Sequence, residues 1–96
     1  PADLAGRIAR LHLAAATGRT GDVETLLRQG APVDAPDAQG DTALMKAIAG
    51  GHWDTAGALR RRGASLDARN RAGVSVREMV RAIGDAKLDR ALGLDN

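Results

Sequence analysis

Two histidines, a set of spaced aspartates and a run of arginines are the residues of this chain that could do chemistry. His12 and His52 invite a metal or acid–base reading. A helical zinc site needs a second histidine one turn away, and neither has another at i+4. Asp34, Asp37, Asp41 and Asp67 could supply paired carboxylates for acid–base work. No nucleophile accompanies them, and Asp34 and Asp67 recur at a fixed spacing, which assigns them to turns. Gly40 and Gly73 are isolated turn glycines, and no Gly-x-x-x-x-Gly-Lys-Ser/Thr phosphate loop occurs. The chain is therefore read as a non-enzyme, with no cofactor and no metal expected.

The arginines are the stronger lead. Residues 60–81 hold Arg60, Arg61, Arg62, Arg69, Arg71, Arg77 and Arg81 against Asp67 and Glu78, a local balance of +5 in a chain of net charge +2. Such clustering suits an anionic partner, nucleic acid above all. Two facts weigh against that reading: the net charge is small, and no aromatic residue interleaves the segment for base stacking. Arg60 to Arg62 also close an expected helix, where cations complement the negative end of the dipole. Trp53, the only aromatic residue, reads equally as an interface anchor and as a ring buried between neighbouring elements.

The elements that position these residues follow from an internal repeat. Gly18, Gly30, Ala31, Asp34, Ala35 and Gly40 return 33 positions later as Gly51, Gly63, Ala64, Asp67, Ala68 and Gly73. A period of this length marks stacked repeats, in which each unit buries only the faces toward its neighbours. That solves a size problem, because 96 residues with one aromatic side chain make a marginal conventional core. Helices are expected over 10–17 and 22–29 in the first unit, and over 42–50 and 53–62 in the second. Leu11, Ala14 and Ala15, then Val23, Leu26 and Leu27, then Leu44, Ala47 and Ile48 supply the inward stripes. Thr42 is the expected N-cap of its helix, and Gly30 and Gly63 the expected stops. In the third unit Met79, Val80, Ile83, Leu88, Ala91 and Leu92 supply apolar contacts. Arg77 and Arg81 replace the inward Leu44 and Ile48, as a terminal unit without a next neighbour requires.

These residues resemble the ankyrin repeat family over roughly residues 9–92. The resemblance rests on Leu11-His12-Leu13-Ala14-Ala15, Gly18, Leu26-Leu27-Arg28-Gln29-Gly30-Ala31 and Asp34. It continues in Gly40-Asp41-Thr42-Ala43-Leu44, Gly51-His52, Leu59, Gly63-Ala64 and Asp67. The family's Pro is Arg10, Ala43 and Val76 here, and its His, kept at His12, becomes Met45 and Glu78. The hydrogen bonds of that His are expected to be missing from the second and third units. The resemblance gives His12 and His52 structural roles.

It implies an all-α ankyrin-repeat solenoid of stacked antiparallel helix pairs with outward turn or hairpin fingers. The expected division of residues 1–96 is a lead-in over 1–8, with Leu4 and Ile8 covering the first unit. Repeats over 9–40 and 41–73 follow, and then a C-terminal capping repeat over 74–94. The implied function is a non-catalytic protein–protein interaction module working through finger tips and the concave face. Carried over by position, the partner-binding residues are Asp37, Gln39, Asp41, Arg62, Arg69, Arg71 and Val74. Ala38, Asn70 and Ala72 complete the fingers, and Ala16, Thr17, Ala49, Gly50, Ala82 and Ile83 lie on the exposed face of the first helices. The alternatives are binding of an anionic polymer through 60–81, or a docking and regulatory role toward a larger enzyme.

No apolar run reaches the ~20 residues of a membrane span. The chain begins with Pro1, so a removed signal or a neighbouring domain stays open. A cytoplasmic setting is favoured, with periplasmic and secreted ones open. The expected state is a monomer or part of a larger chain. High Ala, Arg and Gly content points to a GC-rich, bacterial genome.

Overall fold

A computed structural model describes residues 3–94 as six helices. They are α1 (Leu4–Ala16), α2 (Thr20–Arg28), α3 (Ala43–Ala49), α4 (Trp53–Arg61), α5 (Val76–Ile83) and α6 (Ala86–Ala91). Only two or three residues separate the helices of each pair, so each pair is forced into an antiparallel hairpin. The first helices α1, α3 and α5 pack in one row and the second helices α2, α4 and α6 in another. The result is a stack measuring 43 × 27 × 20 Å.

The caps explain the helix limits. Thr42 Oγ1 accepts from the Met45 amide at 3.4 Å and starts α3, as its position predicts. Ser75 and Glu78 form a capping box that starts α5. Gly30 and Gly63 follow α2 and α4 with φ of 96° and 92°, a left-handed conformation that suits glycine. The helix expected over 10–17 instead begins at Leu4, because Asp3 caps it by accepting from the Gly6 amide at 2.9 Å. Residues 4–8 of the expected lead-in are thus the first turns of α1; residues 1 and 2 lie outside the described residues. The helix expected over 22–29 runs over Thr20–Arg28.

One continuous core threads the stack. Leu11, Val23, Leu44, Met45, Ile48, Leu59, Val76 and Leu88 are at most 2% exposed. Alanines fill the spaces between helices: Ala15, Ala43, Ala47 and Ala56 are fully buried. Small side chains let helix backbones approach closely, which is how so few large residues close a core. Two expectations need correction: Leu4 is 49% and Ile83 43% exposed, so neither is buried in the core, whereas Leu27 is half-buried and packs against it as expected. Ile83 is the last residue of α5, directly before the left-handed C-cap Gly84.

The connections between hairpins are the fingers. In the first, the Asp37 amide donates to the Asp41 carbonyl and the Gly40 amide to the Asp37 carbonyl, both at 2.9 Å. The second copies it: Asn70 donates to Val74 at 3.0 Å and Gly73 to Asn70 at 2.9 Å. An antiparallel bridge between Arg69 and Ser75 closes the base of this second finger.

Candidate functional site

The two fingers are tied into one edge. Arg71 donates its backbone amide to the Gln39 carbonyl at 2.9 Å and its guanidinium to the Ala38 carbonyl at 3.0 Å. The Asn70 amide side chain donates to the Asp41 carboxylate at 3.0 Å. The Asn70 side-chain oxygen meanwhile accepts from the Ala72 and Val74 amides, both at 3.0 Å. In the first finger, Asp37 Oδ1 plays the same part, accepting from the Gln39 and Asp41 amides at 2.9 Å. Its other oxygen pairs with Lys46 on α3. The Lys46 ammonium beside Asp37, helped by the two amide donors, holds this carboxyl below the usual carboxylate range.

The structure therefore sorts the sequence-derived site residues by task. Asp37, Asp41, Arg71 and Val74 shape and join the fingers, whatever else they contact. Arg69 donates to the Gly73 carbonyl at 2.7 Å and to Glu78 at 2.8 Å, so it braces the second finger against α5. Gln39 is exposed, and only its backbone groups take part in these ties. Arg62 is exposed at the C-cap of α4, in the row of second helices, and no hydrogen bond among the described residues joins it to a finger. Gln39, Arg62 and Val74 are the three whose side chains are not drawn into these hydrogen bonds.

The same accounting breaks up the arginine segment. Arg60 donates to the Ala64 carbonyl at 3.1 Å, and Arg77 to the Asp67 carboxylate at 2.7 Å. With Arg69 and Arg71, four of the seven arginines of 60–81 are engaged within the fold. The four are spread over a helix end, a finger and the outer face of α5 rather than one groove.

One histidine ties α1 to the finger segment of its own unit, and the other joins two units. His12 is 8% exposed, and its Nε2–H donates to the Ala35 carbonyl at 2.7 Å. His52 donates through Nε2 to the Ala16 carbonyl at the end of α1, at 3.1 Å. Its ring needs two glycines. A Cβ on Gly18 would lie 2.6 Å from Nδ1, and one on Gly50 would lie 2.7 Å from Cδ2. No group of three potential metal ligands occurs among the described residues. At the two later positions of His12, Met45 is buried and makes no such bond, while Glu78 accepts from Ser75 and Arg69. The amide donor at Ser75, with Arg69 alongside, holds the Glu78 carboxyl below its ordinary value.

Sequence reasoning missed Lys46, Glu78 and the clamp made by Asn70. The signal for Lys46 was a lone cation inside the apolar run Ala43-Leu44-Met45-Lys46-Ala47-Ile48. For Asn70, its place three residues before Gly73, matching Asp37 before Gly40, marked the same turn chemistry.

Comparison with known proteins agrees with this architecture. Residues 11–60 match the model of a family described as ankyrin repeats, present in many copies. No curated protein matches the chain. None of the helices among the described residues is long and apolar enough to cross a membrane.

Proposed function

The chain belongs to the ankyrin repeat family, and from that premise we propose that it holds a partner protein along its joined finger edge and the adjoining face of its first helices. Ankyrin repeats are generally protein–protein interaction modules, and they are generally non-catalytic. The observation that carries the reading is the cross-tie at Arg71 and Asn70. It fixes two fingers relative to each other before any partner arrives, so less ordering cost falls on binding. The unengaged side chain of Gln39 and the exposed Ala38 and Ala72 then project from a rigid frame. Arg62 extends the proposed contact from the second-helix row. We propose the units as 9–40, 41–73 and 74–94, with the helix of the first reaching back to Leu4.

The test leaves the frame intact. Gln39→Glu with Ala72→Glu places two carboxylates on the edge without removing any of the described ties. Capture of a protein by the wild type, lost with this variant, supports the proposal. The nucleic-acid alternative gains nothing from the geometry, because its arginines are mostly engaged and dispersed. It would require binding that falls steeply with added salt.

A further inference from the structure

The first helices present an uncharged face beside the fingers. It is made by Ala16 and Thr17 at the end of α1, Ala49 and Gly50 at the end of α3, and Ala82 and Ile83 at the end of α5, and all six are exposed. The one hydroxyl among them, on Thr17, donates to the Leu13 carbonyl at 2.7 Å. The Ala16 carbonyl accepts from His52. Ile83, 43% exposed, is the largest of the six. The second helices differ: Asp22 and Arg28 on α2, Asp54 and Arg61 on α4, and Lys87 and Arg90 on α6 are all exposed. Toward the fingers, Lys46 meets Asp37 and Arg69 meets Glu78, while Arg71 and Asp41 are tied within the finger pair. These three cations and three carboxylates cancel. Units added at either end of the stack would lengthen this face and not cover it, because units pack through their ends.

We infer that the occupant of this face is an amphipathic helix of the partner protein, lying across α1, α3 and α5 with large uncharged apolar side chains turned toward them. The inference rests on the finger-edge reading and names the partner's chemistry there. Charge selects the side chains. A charged group set on this face would lose water and find no opposite charge among the six residues, whereas an apolar group only removes surface from water. Shape selects their size. Alanine and glycine keep the face shallow, so the bulk has to come from the partner. The backbone selects a helix over an extended segment. An extended segment would bury amides and carbonyls that need partners. Finger groups that could have met them are spent, the Arg71 amide on the Gln39 carbonyl at 2.9 Å. A helix satisfies its own backbone. Three first helices at the usual ~8–10 Å spacing span about 20 Å, which a helix covers in about four turns.

The test selects binders of the full chain from two displayed peptide libraries. One is a helix of about four turns randomised along one face, charged residues included. The other is rich in proline, which keeps it extended. The expected winners are helical, with large uncharged apolar residues on the randomised face. Their affinity changes by less than about twofold between about 50 and 300 mM salt, because screening acts on charges. Ala49→Arg, in the middle of the face, weakens them about tenfold or more by burying a charge without a partner. Thermal unfolding checks that this exposed substitution leaves the fold in place. Winners that are extended, charged on the contact face or unaffected by Ala49→Arg overturn the inference, and so does the absence of any winner. Gln39→Glu with Ala72→Glu separates the two readings. Peptides lost with that pair but kept by Ala49→Arg overturn the helix and leave the finger edge standing. Peptides lost with Ala49→Arg but kept by the pair uphold the helix and overturn the finger edge, and peptides kept by both overturn both.

Discussion

Asn70 and Asp41 lie 29 residues apart in the chain and 3.0 Å apart in space, side chain to side chain. That contact joins consecutive fingers. Asn70 can make it because its amide nitrogen faces the neighbour while its oxygen closes its own turn.

Asn70→Ala removes all three of these hydrogen bonds and leaves two partly exposed amides without their acceptor. The expected loss is about 1–3 kcal/mol of folding stability. Denaturant unfolding measures it. Asn70→Asp keeps the turn acceptor but sets two carboxylates together, so it should be destabilising as well, and more so at neutral than at acid pH.

His12 and Met45 occupy equivalent positions but carry different loads. His12→Leu leaves the Ala35 carbonyl without its donor and should cost about 1–3 kcal/mol. Met45→Leu conserves volume and breaks no described hydrogen bond, so it should cost less than about 1.5 kcal/mol. Equal losses in the two variants would remove the role given to His12 in tying α1 to the segment after α2.

Gly50 has a helical φ of −83°, where alanine would ordinarily gain about 0.5–1 kcal/mol. Here the added Cβ meets the His52 ring, so Gly50→Ala should destabilise instead. The pair Gly50→Ala, His52→Ala should recover part of that loss relative to the sum of the single changes. A thermal-unfolding double-mutant cycle reads this coupling directly.

Acid should loosen the fingers first. Asp37 and Glu78 have folded-state carboxyls held below their ordinary values, by Lys46 and by the Ser75 amide respectively. A depressed folded pKa contributes stability that is fully present above the unfolded value, about 4, and is lost as pH falls through the folded value. Stability should therefore decline below about pH 5, and Lys46→Met should move the Asp37 titration upward. A carbon-detected NMR titration of the carboxyls checks both statements.

The repeat was legible because it is written in residues with local jobs. Gly30 and Gly63 end helices, Thr42 caps one, and Leu11, Leu44 and Leu59 recur at core positions, so neighbours in sequence suffice to place them. The start of α1 at Leu4 was missed because the repeat's own pattern begins near Ala9, and the cap at Asp3 lies outside it. The candidate site was harder. Arg69 and Arg71 look like free surface cations in sequence. Their acceptors, Glu78 and the Ala38 carbonyl, become visible only when the finger is folded against α5 and against the preceding finger. The charge of such residues was readable, but what already satisfies it depends on contacts from 9 to 33 residues away.

The central claim is that the joined finger edge binds a protein, and a nuclease-treated pull-down from the source organism's lysate tests it most directly. Immobilised wild type is compared with the Gln39→Glu, Ala72→Glu variant, after circular dichroism has matched their folds. The account predicts a protein retained by the wild type and lost from the folded variant, insensitive to nuclease. Equal retention by both chains, or retention that vanishes with nuclease treatment, contradicts it.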